Sequence, residues 1–372
     1  MIAIDQTLHA NQLNFSGGPG ALPQAVLDEV QQSIQCVPET GLSILGISHR
    51  SDWFEQVVFE LERNVLSLMG LGSDYKVLLL QGGATQQFTM VPMNFLGRHD
   101  GAHADYLDTG YWSAKALPDA RIQGDIRVAW SGRSENYARL PEDHELLLSP
   151  SASYLHYCSN ETVEGLQFNR VIGLPGVRRV CDMSSDFLSR PGQYDQFDLM
   201  YAHAQKNLGP SGVTLVVIKR ELLEQVPKGL PSFLDYREQA RANSILNTPP
   251  VFAIYVVLLA TQWIRQTIGG LDAMGEINQS KAACLYRVID QSDGFYRCRV
   301  AHDDRSIMNV AFSLPDPGLQ AHFLAESALL GFSGLAGHRS VGGLRASLYN
   351  GLELAAAEHL AEFMSDFAQR NG

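Results

Sequence analysis

Short apolar runs alternate with helical stretches through the middle of the chain. The runs cover residues 76–80, 104–108, 126–130, 154–157, 179–183, 199–202 and 213–218. Most are apolar throughout rather than at every second residue, which is typical of strands buried on both faces. Buried strands separated by helices or long connections predict an α/β domain with a mostly parallel sheet.

Helical patterns flank these runs. Pro23 opens one such pattern, and a second covers residues 52–69 and ends at Gly70, a residue type common just after a helix. The most apolar stretch, 251–264, is too short to span a bilayer and favours a helix buried in the core.

The pattern changes at Gly269 and Gly270, which interrupt the helical register. Beyond them it becomes helix, strand, strand, helix, strand, helix, which predicts a small C-terminal α+β domain. We therefore expect a large domain over residues 25–270 and a small domain over 271–372. Residues 1–24 are expected to pack with the small domain.

Composition restricts the class of protein. Of 372 residues, 45% are hydrophobic and 18% charged, which allows a sizeable core. The formal net charge of -12 repels phosphate backbones and anionic lipids, so we expect neither nucleic acid nor a membrane as partner. The scattered cysteines lack C-x-x-C spacing, and the N-terminal segment lacks a signal-peptide pattern. We expect a cytoplasmic protein without a metal site.

Glycines and polar residues follow the first apolar run, as Gln81-Gly82-Gly83-Ala84-Thr85, and a helical pattern begins after them. Such a strand-to-helix turn brings backbone N–H groups and a helix dipole to an anion. An ordinary tight turn would have the same composition, so this segment alone leaves both readings open.

Two charged residues end neighbouring strands. Asp182 lies near the end of the run 179–183, followed by Ser184, and Lys206 lies in the loop after the run 199–202. A buried carboxylate needs a cation, and a desolvated amine becomes nucleophilic. Alone, Asp182 suits a helix cap and Lys206 a solvated lysine. Together with the glycine turn they favour a site that binds pyridoxal 5'-phosphate (PLP) by its two ends.

Several segments, in this order and spacing, resemble one family. They are Asn14-Phe15-Ser16, Gly18-Pro19, Ser48-His49-Arg50, Asp108-Thr109-Gly110-Tyr111-Trp112, His156-Tyr157-Cys158-Ser159-Asn160-Glu161-Thr162, Gln205-Lys206-Asn207, Asn247-Thr248-Pro249-Pro250, Gly337-His338-Arg339 and Gly342-Gly343-Leu344-Arg345-Ala346-Ser347. Over nearly its whole length the chain resembles the phosphoserine aminotransferases, class V enzymes of PLP fold type I. The resemblance implies the α/β fold of a fold-type I PLP-dependent transferase.

The resemblance also implies roles in cofactor binding. Lys206 would hold PLP and move the proton between the substrate Cα and the cofactor, and Asp182 would pair with the pyridinium nitrogen. Trp112 would stack on the ring and Thr162 would bind its hydroxyl. The remaining cofactor-binding positions implied are Ala84, Thr85, Ser184 and Gln205, with Asn247 and Thr248 donated by the second subunit of a homodimer.

The implied substrates are L-glutamate and 3-phosphohydroxypyruvate, which both carry two anionic groups. Arginine grips such groups bidentately. Arg345 would bind the α-carboxylate common to all substrates. The pairs His49-Arg50 and His338-Arg339 would bind the distal carboxylate or phosphate.

One departure from the family pattern leaves alternatives open. Phosphoserine aminotransferases often carry an arginine in the glycine-rich loop, where this chain has Ala84-Thr85-Gln86. Another class V aminotransferase, acting on small unphosphorylated substrates, is the alternative. A desulfurase would need a mobile cysteine, whereas Cys284 lies in a helical pattern and Cys298 in an apparent strand. A binding module would be expected to lack Lys206 or Asp182.

Overall fold

The computed structural model describes residues 11–372 of the chain. The strands of this part are β1 (Tyr75–Gln81), β2 (His103–Asp108), β3 (Asp125–Ser131), β4 (Leu155–Cys158), β5 (Asn160–Glu161), β6 (Leu166–Gln167), β7 (Arg179–Asp182), β8 (Leu199–His203), β9 (Val213–Lys219), β10 (Asn309–Phe312) and β11 (Leu344–Ser347). The α-helices are α1 (Gln24–Gln35), α2 (Asp52–Met69), α3 (Ala84–Phe95), α4 (Tyr111–Arg121), α5 (Arg220–Leu223), α6 (Tyr236–Arg241), α7 (Val251–Trp263), α8 (Leu271–Asp290), α9 (Pro317–Leu329) and α10 (Leu354–Asn371).

The predicted apolar runs form one seven-stranded sheet in the order β1-β9-β8-β7-β4-β2-β3. Strand β9 is antiparallel to β1 and to β8, and every other neighbouring pair is parallel. The mostly parallel sheet expected from the sequence is therefore confirmed. Because β9 is antiparallel to both of its neighbours, β1 points in the same direction as β8. The carboxyl ends of β1, β7 and β8 therefore share one edge of the sheet.

Helices cover both faces of the sheet. Successive side chains of a strand point to opposite sides, so each strand packs against helices on both faces. Along β1, Val77 and Leu79 join a core cluster that includes Leu61 of α2. Leu78 and Leu80 join a separate cluster that includes Phe88 of α3. Burial on both faces explains why the strand lacks a polar alternation.

Helix α2 has the bounds that the sequence pattern predicts. The Ser51 hydroxyl accepts a hydrogen bond from the Phe54 N–H at its start. At its end Gly70 has φ 66°, the left-handed conformation that glycine adopts without a Cβ penalty. Both ends of this helix are thus set by local chemistry.

The apolar stretch at 251–264 forms α7, which continues as a π-helical turn over Ile264–Ile268. With this turn the helix reaches 18 residues, so the expectation that the stretch is too short to span a bilayer is wrong, but 56% of the window Val251–Ile268 is buried within the protein. Side chains Ile254, Val257 and Leu258 pack in the core cluster with α2. The helix therefore serves as a core helix, as expected.

A third cluster joins the two chain ends. Leu13 and Phe15 pack with Val310, Phe312 and Phe363. Strands β10 and β11 form an antiparallel pair beside α8 and α10. The proposed domain boundaries at residues 24 and 270 stay predictions.

The expectation that Cys298 lies in a strand is wrong. Its neighbour Arg297 forms only an isolated bridge with Ser313. Two residues later Val300 packs into the cluster beside the large sheet, which draws the chain away from β10. Cys284 does lie in a helix, α8, as its pattern predicts.

Candidate active site

The carboxyl ends of β1, β7 and β8 border a cavity of about 170 Å³. Ligands collect at this edge of an open parallel sheet because loops and helix N-termini converge there. Among the residues that line the cavity are the sequence-predicted positions Ala84, Thr85, Trp112, Thr162, Asp182, Ser184, Gln205 and Lys206.

Lys206 lies in the loop after β8 and is only 7% exposed. Its Nζ donates a hydrogen bond to the Thr162 hydroxyl, 2.6 Å away. Burial lowers the pKa of Lys206 to about 8, against the opposing charge of Asp182. At pH 7 roughly a tenth of the amine is therefore neutral and nucleophilic, a few hundred times the fraction in an ordinary lysine.

Asp182 ends β7 with 6% exposure. One carboxylate oxygen accepts the Ser184 N–H at 2.9 Å. Burial raises the pKa of Asp182 above its ordinary value, and Lys206 opposes that shift. Asp182 has no ion pair within 4 Å among residues 11–372. A cationic ring nitrogen in the cavity would supply the partner that a buried carboxylate requires.

Trp112 lies in the first turn of α4 and lines the cavity. Its ring centroid is 5.5 Å from Lys206 Nζ. The indole Nε1–H is buried and has no hydrogen-bond partner among the described residues. The indole face can stack on a flat ring, while its in-plane N–H needs a separate acceptor.

The glycine-rich turn before α3 lines another part of the cavity, through Gly83, Ala84 and Thr85. Helix α3 begins at Ala84, and no side chain caps its N-terminus. A Cβ placed at Gly83 would meet nothing within 4 Å, so space for an anion is open beside the first N–H groups. This geometry suits a phosphate held by backbone groups.

Arg345 of β11 lies beside the cavity. Its Nη1 donates to the Thr162 carbonyl at 3.4 Å, and its buried Nε has no partner among residues 11–372. A Cβ at Gly17 would lie 2.1 Å from Nη2, so only glycine allows the guanidinium this position. The guanidinium retains donors for an anionic ligand.

The other predicted substrate residues do not line the cavity of this chain. His49 is half-buried and Arg50 exposed, just before α2. The His338 ring lies 4.5 Å from that of Tyr111, and Arg339 is exposed.

The two residues expected from a second subunit are also outside the cavity. Asn247 Nδ2 donates to Gln81 Oε1 at 3.1 Å, one residue before the glycine turn. Thr248 is exposed.

Further residues line the cavity that the sequence did not single out as binding groups: Gly83, Cys158, Asn160, Ser185 and His203. His203 ends β8, so the strand-end rule that selected Asp182 could have found it. Burial lowers the pKa of His203 to about 4, which keeps its ring neutral.

The chain matches known proteins over almost its full length. The family model described as aminotransferase class-V matches residues 12–359. A phosphoserine aminotransferase of Desulfosudis oleivorans is 46% identical over 360 residues, 96% of this chain and 98% of that protein. One of Geobacillus kaustophilus is 47% identical over 357 residues, with the same coverage.

Solved structures agree. The phosphoserine aminotransferase of Bacillus circulans subsp. alkalophilus superimposes with a TM-score of 0.93 and 46% identity, covering 96% of this chain and 98% of that one. The PLP-bound enzyme of Trichomonas vaginalis gives 0.88 and 34%, covering 95% and 99%. The fold and site thus define a fold-type I PLP-dependent aminotransferase of class V. Within that class, the chain belongs to the phosphoserine aminotransferase family.

The cofactor of this family is PLP, and the cavity fits it. Asp182 is buried without a cation, the Trp112 Nε1–H is buried without an acceptor, and Gly83 leaves open space at a helix N-terminus. A pyridinium would pair with Asp182, an aromatic ring would stack on the face of Trp112, and a phosphate would fit beside the N-terminus of α3.

Proposed function

We propose that the chain transfers the amino group of L-glutamate to 3-phosphohydroxypyruvate, giving 2-oxoglutarate and O-phospho-L-serine. The observation that carries the proposal is a buried Lys206 beside a buried, unpaired Asp182 in a chain of this family. We also propose a role in serine biosynthesis in the cytoplasm. The four-carbon phosphorylated keto acid 3-hydroxy-2-oxo-4-phosphooxybutanoate, of pyridoxine synthesis, differs by one carbon and is proposed as a second substrate.

Each residue has a distinct task in this reaction. When bound, PLP supplies an electron sink for negative charge that develops at the substrate Cα. Asp182 keeps the ring nitrogen protonated, and the Ser184 N–H orients its carboxylate. The Lys206 amine takes the proton from the substrate Cα and would deliver it to the cofactor. Thr162 holds that amine at 2.6 Å.

An acidic protein that binds substrates with two anionic groups needs arginines at its binding site. Arg345 is proposed to grip the α-carboxylate, because its Nε and Nη2 lie beside Gly17 with donors to spare. His338 and Arg339 are proposed to meet the distal phosphate or carboxylate. The pair His49 and Arg50 would do so from the second subunit of a homodimer.

The substrate assignment is tested by steady-state kinetics with glutamate as donor. We expect 3-phosphohydroxypyruvate to exceed pyruvate and glyoxylate in kcat/KM by at least about a hundredfold, the effect of two lost charge-assisted hydrogen bonds. Equal use of the unphosphorylated acids would favour the alternative, a small-substrate class V enzyme. It would also connect the lack of preference for phosphorylated substrates with Ala84-Thr85-Gln86, the place where phosphoserine aminotransferases often carry an arginine.

The shared site is tested by mixing two inactive variants, Lys206→Ala and Arg50→Ala. A mixed dimer contains one site with Lys206 from one subunit and Arg50 from the other. Activity should therefore reappear on mixing if Arg50 acts across the interface. Persistent inactivity of a mixed dimer demonstrated by mass spectrometry would place Arg50 in its own subunit's site or outside both.

A further inference from the structure

Helix α4 begins without a capping side chain of its own. Its N-cap is Gly110, and carboxylates of the β5–β6 hairpin accept the first N–H groups. Glu161 Oε2 accepts from the Trp112 N–H at 3.1 Å, and its Oε1 from the Ser113 N–H at 3.0 Å. Glu164 Oε1 accepts a hydrogen bond from the Tyr111 N–H at 3.2 Å. Acceptors at this end of a helix satisfy its free donors and complement its dipole.

These carboxylates occupy the place of a capping side chain. A Cβ at Gly110 would lie 2.7 Å from the carboxyl carbon of Glu161 and 2.6 Å from Glu164 Oε2. Glycine suits this position because the two carboxyl groups approach its Cα too closely to leave room for a Cβ. Burial raises the pKa of Glu164 to about 8, with the Glu161 charge second. Burial raises the pKa of Glu161 as well, and the hydrogen bonds that it accepts from Ser113 and Trp112 oppose that shift.

The first residue of the turn after β5 reaches the lysine. Thr162 follows Glu161 directly, and both are almost fully buried, at 2% and 1% exposure. Thr162 holds Lys206 Nζ at 2.6 Å, while Glu161 holds the backbone of Trp112. Two consecutive residues thus fix the two sides of the cofactor cavity relative to each other.

The strand itself is anchored by a buried amide. Asn160 Nδ2 donates to Ser185 Oγ and to Asn309 Oδ1, both at 2.8 Å. Ser185 in turn donates to the Asn160 carbonyl at 2.8 Å. These bonds hold β5 from the segment after β7 and from β10, so they restrain any shift of β5 that a change at Glu161 would require.

We propose that Glu161 is a positioning residue for the cofactor: its buried carboxylate holds the first turn of α4 so that Trp112 faces the ring bound at Lys206. The inference rests on the proposed stacking role of Trp112. It predicts an effect on how PLP is bound, beyond any loss of overall stability.

The test replaces Glu161 by Gln, which turns one acceptor into an amide NH₂ that faces a backbone N–H. PLP is titrated into cofactor-free protein and followed by quenching of tryptophan fluorescence and by visible circular dichroism of the bound cofactor. We expect the dissociation constant to rise at least about tenfold and the dichroic band to weaken. In turnover, kcat should fall with little change in KM for glutamate.

Asp105→Asn is the matched control. Asp105 is also a buried carboxyl that accepts a backbone N–H, from Ser149 at 2.6 Å, but it belongs neither to α4 nor to the cavity lining, so cofactor affinity and the dichroic band should stay close to those of the wild type. Glu161→Asp keeps the charge on a shorter stem and should partly restore the dichroic band.

A Glu161→Gln protein that binds PLP with wild-type affinity and dichroism would overturn the proposal, even if its melting temperature falls. Should that variant fail to fold, Gly110→Ala keeps both carboxyls and forces them aside with a Cβ. The same loss of dichroism is expected there, and unchanged PLP binding would also overturn the proposal. Because these measurements use no substrate, a wrong substrate assignment leaves their expected results unchanged.

Discussion

The Nζ atom of Lys206 lies 2.6 Å from the hydroxyl oxygen of Thr162, to which it donates a hydrogen bond. The two residues are far apart in sequence and are both buried. The hydroxyl gives the amine a fixed direction without a counter-charge, so burial still lowers the pKa of Lys206 to about 8. A reactive amine is thereby held in place.

Replacing Lys206 by Ala should abolish turnover, because within residues 11–372 no other lysine lines the cavity to move the Cα proton. We expect kcat to fall by at least about four orders of magnitude. Noncovalent PLP binding should persist in part through Asp182 and the glycine turn, as measured by equilibrium dialysis. Near-normal turnover would refute the role of Lys206.

Covalent capture of PLP by cofactor-free protein should depend on pH through the same amine. Only neutral lysine is nucleophilic, and its pKa of about 8 makes the neutral fraction grow from about pH 6.5 to about pH 9. Stopped-flow absorbance should show a rate that rises through this range and levels off above it. A rate still climbing steeply at pH 10 would mean that Lys206 keeps an ordinary pKa.

Replacing Arg345 by Leu should raise KM for every substrate, glutamate and phosphorylated keto acid alike. The reason is that the α-carboxylate is common to all of them, and the expected loss is at least about tenfold. Arg339→Leu is the matched control and should affect the distal anionic group selectively. An Arg345 effect confined to the phosphorylated substrate would reverse the two roles.

Glu164→Gln should flatten the pH dependence of stability. The pKa of Glu164 is raised from 4.5 to about 8, so the native state keeps a proton that the unfolded state releases between these values. Its stabilising contribution is complete below pH 4.5 and is lost as pH rises through about 8. At pH 8.5 the variant should therefore melt at a higher temperature than the wild type. Its free energy of unfolding should be larger by about 1–4 kcal/mol.

Lys281 is a buried lysine outside the active site. It is 0% exposed, and its Nζ donates to the carbonyls of Leu348, Tyr349 and Leu352 at 3.1, 2.9 and 2.8 Å. Met fills the stem but donates nothing, so Lys281→Met should lower the free energy of unfolding by about 1–3 kcal/mol. Chemical denaturation measures this. A more stable variant would show that desolvation of the ammonium outweighs its three bonds.

Much of the fold could be read from the sequence because its signals are local. Each apolar run became a strand of the central sheet, and α2 ends where Gly70 predicts. Asp182 and Lys206 could be selected because strand ends of a parallel sheet meet at one edge. At Cys298 the apparent strand did not form: only the neighbouring Arg297 pairs, in an isolated bridge with Ser313, and such pairing depends on a segment distant in sequence.

The sequence by itself determined the elements, their order and the residue types at the strand ends, since hydrophobic period and capping chemistry act over a few neighbouring residues. Only the tertiary structure decided that β9 lies antiparallel between β1 and β8, that Arg345 reaches the Thr162 carbonyl, and that Glu161 caps the helix of Trp112. These contacts join residues far apart along the chain. Their geometry follows from how buried surfaces pack together, which no local pattern encodes.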